Sequence, residues 1–413
     1  MPRIIEREPQ TIANIKVIGI GGSGLNAINH MIRSGIEGVE FIGMNTDSQD
    51  LHKSLASTKI HLGRNLTSGK GTGMNPEIGR DAAEETRSEI QEVLKGADMV
   101  FIACGMGGGT GTGASPVVAR EAREQGILTI AVVTTPFMFE QKQRNAIAIK
   151  GVEDLRKEVD AIIVIPNDQI LEVIDEEKTL NEAFEMCDEI LRQTVEGISN
   201  IITTPGKINT DFRDFQAILT GAGSAFIGIG FASGENRAVE AAKKAINTPL
   251  LNMSVTGAKN VLYCITSGQD FKMSELNKIS QIITESIDPN ARVIYGQIMH
   301  SPDHMKEIKE GEIKVTVIAA GFDTAKIKES HTKREEPIIL SKNNENHHNT
   351  EPVKIHEVTH EEAPAPTYAQ PRVQRAEVTE IVVEEPISHN APTQSRFGGK
   401  LPPLLRRKPF NND

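Results

Sequence analysis

The sequence predicts an α/β fold in which a doubly wound parallel-sheet domain, a long central helix and a smaller α/β domain follow one another. Strand-like and helix-like segments alternate from about residue 14 to residue 175. Several strand candidates are nearly all apolar and rich in Val and Ile, which is typical of parallel strands covered on both faces. Apolar residues then recur at three- and four-residue steps over 179–203, which predicts one long helix.

The first domain is expected to contain at least five strands. These strand candidates occupy residues 15–20, 39–44, 99–104, 127–133 and 161–165. Helical spacing is found at 27–31 and over 76–95, where Pro76 suits a first helical turn.

The second domain follows Pro205 and Gly206, which are expected to end the long helix. Its strand candidates are residues 224–231, 261–266, 291–297 and 313–320, and its helix candidates are 211–219, 235–246 and 273–286. From about residue 324 the chain is polar and cannot bury enough apolar area to offset its ordering entropy. We therefore expect a disordered linker, followed by a short basic and apolar tail at 398–413.

Composition excludes several classes of protein. The formal net charge is -11 and the pI is about 5.6, so general nucleic-acid binding is not expected. No apolar run reaches the ~20 residues of a membrane helix, and the first ten residues do not form a secretory signal. The three cysteines are far apart and show no metal spacing, which indicates reduced, buried thiols in a cytoplasmic protein.

A first glycine cluster, Gly19-Ile20-Gly21-Gly22-Ser23-Gly24, fits the G-x-G-x-x-G pattern between a strand and a helix. Glycines there let the backbone approach a phosphate, and the helix N-terminus offers free N–H groups. Asp47 lies near the position of the ribose acid in dinucleotide enzymes. Taken alone, this Rossmann-like cluster favours an NAD-dependent oxidoreductase.

A second cluster at residues 107–113, Gly-Gly-Gly-Thr-Gly-Thr-Gly, directly follows a buried strand candidate. A dinucleotide-binding domain needs no second phosphate loop there, and a flexible linker fits poorly between a strand and a helix. Thr112, Gly113 or Ser115 could cap the following helix, whose early turn contains Pro116. This cluster therefore predicts a loop that holds a nucleotide triphosphate.

The glycine segment at residues 69–76 is not a Walker A loop, because Gly71 follows Lys70 where Ser or Thr is required. No Asn-Lys-x-Asp guanine motif is present either. Triphosphate binding must then rest on several backbone loops.

Two carboxylates, Asp211 and Asp214, lie three residues apart after Asn209 and Thr210. They would face one way on a helix. One interpretation is structural, with Asn or Thr capping a helix whose first turn favours acids. The other is chemical, because such a pair can polarise water or hold a metal beside a phosphate.

Taken together, these segments resemble the tubulin/FtsZ family of GTPases, whose bacterial members act in cell division. The resemblance runs in collinear order over about residues 12–321, and the run 107–113 resembles the family's signature loop. Asn45-Thr46-Asp47, the segment 136–140 and the segment 209–214 add to it. The resemblance implies GTP and GDP as ligands, with Mg²⁺, and no residue is assigned as a metal ligand.

The resemblance implies a set of nucleotide contacts, which extend from the phosphate loops through the sugar side to a stacking Phe184 and a guanine-reading Asp188. By position they are Gly22, Ser23, Gly24, Asn26, Asn45, Asp47, Gly73, Gly108, Gly109, Thr110, Gly111, Thr112, Thr134, Glu140, Arg144, Phe184 and Asp188. A carboxylate accepts two N–H bonds from guanine and repels the adenine edge. In this family the catalytic residues, here Asn209, Asp211 and Asp214, act on the nucleotide of the next subunit.

The implied organisation is an N-terminal extension (1–12), a Rossmann-like GTP-binding domain (13–178), the central helix (179–205), a C-terminal activation domain (206–322), a disordered linker (323–397) and an interaction peptide (398–413). The implied partners are further copies of the chain in a head-to-tail polymer, and membrane-anchoring and regulatory division proteins bound by the peptide. The chain itself is expected neither to enter the membrane nor to bind nucleic acid, and to work in the cytoplasm at mid-cell. An alternative is a tubulin-like filament that partitions DNA.

Six residues depart from the family pattern: Ser23, Leu25, Lys70, Met74, Thr135 and Gln141. A position with positive φ would make Ser23 costly, since side chains disfavour that conformation. We expect these departures to affect nucleotide affinity and turnover rather than the fold.

Overall fold

The computed structural model describes residues 13–171, 178–204, 208, 211–247, 255–299, 308–309 and 311–322. Within these residues, ten strands, β1 to β10, span Ile15–Ile20, Val39–Asn45, Thr58–His61, Met99–Gly105, Leu128–Thr135, Ala161–Pro166, Gly223–Ser233, Asn260–Ser267, Arg292–Met299 and Glu312–Ala320. The twelve α-helices of the same described residues, α1 to α12, span Gly21–Arg33, Ser48–Lys53, Arg64–Thr67, Pro76–Glu85, Arg87–Leu94, Thr110–Glu124, Lys142–Arg156, Asn167–Leu171, Leu180–Thr203, Phe212–Leu219, Arg237–Ile246 and Met273–Glu285.

The ten strands form one sheet in the order β3-β2-β1-β4-β5-β6-β7-β10-β8-β9. Its first six strands are parallel, so their carboxyl ends share one edge: Ile20 of β1 pairs in register with Met44 of β2 and Cys104 of β4. Helices cover both faces of these strands, which explains the long Val- and Ile-rich runs. The predicted α/β fold class is confirmed.

The second half of the sheet is mixed. β10 pairs antiparallel with both β7 and β8, and β8 pairs parallel with β9. A short parallel ladder, Ala161 with Gly223 and Ile162 with Ser224, joins β6 to β7. The two halves therefore share one continuous sheet.

The long helix α9 is capped by Thr179, whose hydroxyl accepts the backbone N–H of Glu182 at 3.3 Å. The Glu182 carboxylate in turn accepts the backbone N–H of Thr179 at 2.8 Å, so the two residues form a capping box. Leu191, Val195 and Ile198 are buried between α9 and the first half of the sheet. The predicted single helix is confirmed, and Pro205 and Gly206 lie outside the described residues.

Several elements differ from the sequence prediction. The helix expected at residues 76–95 is two helices, α4 and α5, because the chain turns at Thr86. The Thr86 hydroxyl donates to the Ala82 carbonyl at 3.0 Å and accepts the Gly63 N–H at 2.9 Å, which holds this turn. Elements α2, β3, α3, α7 and α8 had not been predicted.

The helix after the second glycine cluster begins earlier than expected. α6 starts at Thr110, so Thr112, Gly113 and Ser115 lie inside it rather than capping it, and Pro116 is well inside the helix. None of the described helices has the length and hydropathy needed to cross a bilayer. The predicted N-terminal extension, linker and interaction peptide lie outside the described residues.

Candidate functional site

A cleft of about 430 Å³ opens at the carboxyl edge of the parallel strands. Two helices point their N-termini into it: α1, which follows β1 at Gly21, and α6, which begins after Gly109. The two loops touch, since a Cβ added to Gly21 would lie 3.1 Å from the Gly111 nitrogen. Free N–H groups and two positive helix ends therefore meet in one cleft, which suits a polyanion.

The glycine run 107–113 serves packing as well as ligand access. A Cβ added to Gly113 would collide with the Pro76 carbonyl oxygen, and one added to Gly109 with the Thr72 hydroxyl. These glycines let α6 approach α4 and its preceding loop at backbone distance. Within the run, Gly108 alone has no atom within 4 Å of an added Cβ, so its open side faces the cleft.

Three buried threonines connect the loops around the cleft. The hydroxyls of Thr46 and Thr110 lie 2.6 Å apart, and those of Thr72 and Thr110 lie 3.5 Å apart. Thr72 and Thr110 line the cleft. The side chains of Thr46 and Thr72 had not been predicted at this site, because nothing in the linear pattern shows that three loops meet.

The side of the cleft formed by α7 carries a fixed ion pair. Arg144 Nη1 donates to Glu140 Oε2 at 2.8 Å, and Glu140 Oε1 accepts the Phe137 backbone N–H at 3.0 Å. Thr134 at the end of β5 and Asn26 of α1 also line this cleft. Arg144 retains a buried Nε atom that has no hydrogen-bond partner among the described residues.

Helix α9 supplies an aromatic ring and a carboxyl group to the cleft. Phe184 is 41% exposed and contacts Phe137 edge to face, with ring centroids 5.4 Å apart. Asp188 follows one turn later on the same helix. Burial raises the pKa of Asp188 to about 6; the charge of His30 lowers it and that of Glu185 raises it.

Several other residues line the cleft without having been predicted as contacts, among them Asn167 and Cys187. Asn167 follows β6 directly, and its buried Oδ1 atom has no partner among the described residues. An amide directly after a buried strand was the available signal. Cys187 also lines the cleft, and burial raises the pKa of its thiol to about 12.

Five predicted nucleotide contacts lie outside the cleft lining: Gly24, Asn45, Asp47, Gly73 and Thr112. A Cβ added to Gly24 would collide with the Ala103 carbonyl oxygen, so Gly24 lets α1 pack on β4. The remaining four shape loops beside the cleft.

Asn45 and Asp47 shape the turn after β2. The Asn45 amide oxygen accepts the N–H groups of Thr46 at 2.8 Å and Asp47 at 3.3 Å. Asp47 caps α2 by accepting the N–H of Gln49 at 2.8 Å. One oxygen of the Asp47 carboxylate is therefore engaged in capping α2, and Asp47 does not line the cleft.

Thr112 and Gly73 also act on loop conformation. The Thr112 hydroxyl accepts the Gly107 N–H at 2.9 Å and so closes the loop before α6. Gly73 has a φ of 57° in the loop that carries Thr72. The other twelve predicted contacts line the cleft: Gly22, Ser23, Asn26, Gly108, Gly109, Thr110, Gly111, Thr134, Glu140, Arg144, Phe184 and Asp188.

The predicted catalytic carboxylates lie at the opposite edge of the sheet. Asp211 lines a second, open hollow together with Ala13, Ala97 and Gly126, which stand just before β1, β4 and β5. Asp211 itself caps α10 by accepting the Asp214 N–H at 2.7 Å, where Asn or Thr had been considered as the cap. Asn209 and Thr210 lie outside the described residues.

The departures from the family pattern differ in their backbone conformation. Ser23 lies inside α1, so the expected cost of a positive φ does not arise there. Met74 and Gln141 do have positive φ values, 64° and 77°. Strain is thus located in the loop before α4 and at the start of α7.

Comparisons with known proteins identify the family. A model described as "Tubulin/FtsZ family, GTPase domain" matches residues 14–175, and one described as "FtsZ family, C-terminal domain" matches residues 223–323. The solved structure "FtsZ dimer, empty" from M. jannaschii is 40% identical, with a TM-score of 0.70, and the match covers 76% of this chain and 89% of that one.

A more distant likeness concerns the fold alone. The structure "CetZ2 from Haloferax volcanii - GTPgS bound protofilament" is 18% identical, with a TM-score of 0.65, and the match covers 78% of this chain and all 100% of that one. The two family models and the 40% identical structure identify the family as well as the fold. The chain therefore belongs to the tubulin/FtsZ family and is a GTPase that binds GTP and GDP.

Proposed function

We propose that this chain polymerises head to tail and hydrolyses GTP only where two subunits meet. The observation that carries the proposal is the placement of the cleft and Asp211 at opposite edges of the parallel strands. Strands of six to eight residues separate these edges by about 20 Å. A carboxylate cannot reach a nucleotide across that distance, so a catalytic Asp211 would act on the nucleotide of another molecule.

GTP would occupy the whole length of the cleft. The phosphates would lie on the N-termini of α1 and α6, where Gly108 leaves space for them. The ribose would lie beside Glu140 and Arg144. The base would stack on Phe184 and donate its N–H groups to Asp188, whose ionised form is a pure acceptor.

The catalytic residues of the proposed reaction come from the next subunit. Asp211 and Asp214, with Asn209, would position the attacking water at the γ-phosphate. The described residues include no cluster of three or more His, Cys, Asp or Glu side chains that could hold a metal. Mg²⁺ fits such a site mainly through phosphate and water oxygens, its usual ligands beside a nucleotide.

Exposed apolar side chains support contact between subunits at the cleft end. Met138 is 82% exposed and Phe139 is 57% exposed, and both follow Pro136, which lines the cleft. Large exposed apolar groups near a functional cleft often mark an interface. The M. jannaschii relative is described as a dimer and the Haloferax volcanii structure as a protofilament.

The filament would form the cytokinetic ring at the bacterial division site. The match of residues 223–323 to the FtsZ C-terminal domain favours division over DNA partition. Residues 398–413, basic and apolar in an acidic chain, would bind membrane-anchoring and regulatory proteins through the linker. The protein would act in the cytoplasm at mid-cell.

A mixing experiment tests hydrolysis between subunits. Gly108→Val would place methyl groups in the phosphate space, at a position where an added Cβ meets no atom within 4 Å. Asp211→Asn removes the catalytic charge while retaining a capping side chain. Each variant alone should lack phosphate release. Mixing them should restore it, because an Asp211→Asn subunit can bind GTP and receive Asp211 from a Gly108→Val neighbour.

The contrary result is equally clear. If the mixture stays inactive while both variants still join wild-type filaments, catalysis does not use a neighbouring Asp211. A wild-type rate that rises in strict proportion to protein concentration, with no threshold for sedimentable polymer, would also contradict the proposal. Arg123→Ala breaks an ion pair with Glu158 and changes a residue that lines neither the cleft nor the Asp211 hollow, so it provides a control.

A further inference from the structure

One polar bridge connects the helix of the first glycine loop to the helix that carries the base-binding side chains. His30 Nε2 of α1 lies 2.9 Å from Glu189 Oε2 of α9. The side chains of His30 and Glu189 are 30% and 31% exposed, so the bridge is half-buried. The residue before Glu189 is Asp188, and the N-terminal turn of α1 lines the same cleft.

The Glu189 carboxylate is held from several directions. Arg192 donates Nε to Glu189 Oε2 at 2.7 Å and Nη2 to Oε1 at 2.8 Å. Gln193 donates to Oε1 at 2.7 Å, and Arg192 also reaches Glu196 at 2.8 Å. Because these partners belong to α9 itself, they hold the Glu189 carboxylate in one position on this helix. The hydrogen bond from His30 then connects α1 to α9.

The bridge between His30 and Glu189 connects two helices that both supply side chains to the cleft. α1 presents Ser23 and Asn26 to the cleft, and α9 presents Phe184 and Asp188 to it. A small shift of α9 against α1 would move the Asp188 carboxylate relative to a nucleotide whose phosphates lie on α1. Hydrogen bonds weaken steeply with such misalignment.

We propose that His30 is a positioning residue for guanine recognition, which holds α9 through Glu189 so that Asp188 meets the base of a nucleotide seated on α1. The proposal rests on the proposed role of Asp188 in reading guanine. His30 is not itself part of the cleft lining, and its hydrogen bond to α9 runs through Glu189. Loss of the bridge should leave both helices folded, because Glu189 keeps its partners on α9.

Binding of GDP and IDP to the unassembled protein tests the proposal. IDP lacks the exocyclic amine of guanine, so the ratio of the two dissociation constants measures how well Asp188 reads that edge. His30→Ala should reduce the GDP preference by about two- to tenfold, the range expected for one weakened hydrogen bond. His30→Gln, which keeps a donor for Glu189, should restore most of it.

Two controls separate this inference from its premise and from a general loss of stability. Asp188→Asn should abolish the GDP preference. Arg123→Ala breaks another half-exposed ion pair, with Glu158, and should leave the preference unchanged. Should His30→Ala be poorly soluble, Glu189→Gln weakens the same bridge from the other side.

The outcomes are distinct. An unchanged preference in His30→Ala and Glu189→Gln, beside a lost one in Asp188→Asn, would overturn the positioning role and leave base recognition by Asp188 standing. Equal losses of GDP and IDP affinity with a lower melting temperature would also overturn it, since they indicate a purely structural role. An unchanged preference in Asp188→Asn would refute the proposed role of Asp188 itself.

Discussion

The carboxylate of Asp211 accepts the backbone N–H of Asp214 at 2.7 Å, so one proposed catalytic residue is also the N-cap of the helix that carries the other. Capping accounts for an acid at position 211. The proposed positioning of the attacking water accounts for a second acid at position 214. The two roles can be separated, because Asn caps a helix about as well as Asp but carries no charge.

Substitutions at residue 211 should therefore differ in stability but not in activity. Asp211→Asn and Asp211→Ala should both lose GTP turnover, whereas Asp211→Ala alone should lose about 1 kcal/mol of unfolding free energy through the missing cap. Phosphate release and urea unfolding measure the two effects. Full turnover in Asp211→Asn would assign the residue to capping only.

Two glycines of the run 107–113 should respond in opposite ways to added side chains. Gly113→Ala places a Cβ against the Pro76 carbonyl oxygen, so we expect loss of folded protein or a fall in melting temperature. Gly108→Val should fold normally and fail to bind GDP. Circular dichroism and equilibrium dialysis distinguish them; a folded Gly113→Ala with normal stability would show that α4 and α6 are not closely packed.

Gln141 should carry measurable backbone strain. Its φ of 77° and ψ of 155° place it in a region essentially restricted to glycine. Gln141→Gly should raise the unfolding free energy by about 1 kcal/mol or more, as measured by urea unfolding. Gln143→Gly, in the first turn of the adjacent helix α7, is the matched control and should lower stability by about 1 kcal/mol. A destabilised Gln141→Gly would contradict the strained conformation.

Guanine nucleotide affinity should fall on acidification through about pH 6. The pKa of Asp188 is raised to about 6 by burial, with His30 of α1 and Glu185 of α9 the charged groups that modify it. Protonation turns one acceptor oxygen into a donor and removes the attraction for the guanine N–H groups. The dissociation constant of GDP, followed from below to above this pKa, should titrate accordingly, and Asp188→Asn should flatten the profile.

The raised pKa of Asp188 also makes the stability of the nucleotide-free protein depend on pH in a defined direction. Folding raises the pKa of Asp188 above its ordinary value of 3.8, so the folded chain holds this proton more tightly than the unfolded one. The contribution of Asp188 to stability therefore falls as the pH rises from about 3.8 to about 6, and the full penalty is present above that window. Thermal unfolding of wild type against Asp188→Asn should show a difference that grows across this window.

The three cysteines should be inert in the native protein. Burial raises the pKa of the thiols of Cys104, Cys187 and Cys264 to about 12 each, so almost no thiolate exists near neutral pH. A thiol reagent should modify them at the rate of unfolding, as followed by mass spectrometry with and without urea. Rapid labelling of Cys187 in the native state would show that its side of the cleft opens.

Local patterns were sufficient for most of the fold. The Val- and Ile-rich runs predicted buried parallel strands, and the spacing over residues 179–203 predicted α9, because burial imposes a period that the sequence records directly. The turn at Thr86 was missed, since it depends on a hydrogen bond to Gly63, a residue 23 positions away. The start of α6 was placed too late because the glycines that open it disfavour helix on propensity alone.

The sequence by itself determined the α/β class, the long helix, the glycine loops at the ends of strands, and the one-turn spacing of Phe184 and Asp188. These follow from local conformational preferences and from the periodic burial of side chains, both of which can be read from the order of residues. Tertiary structure decided that the N-termini of α1 and α6 meet in one cleft, and that Asp211 lies at the far edge of the sheet. Such relationships arise from strand order and register, which bring together residues that no local pattern connects.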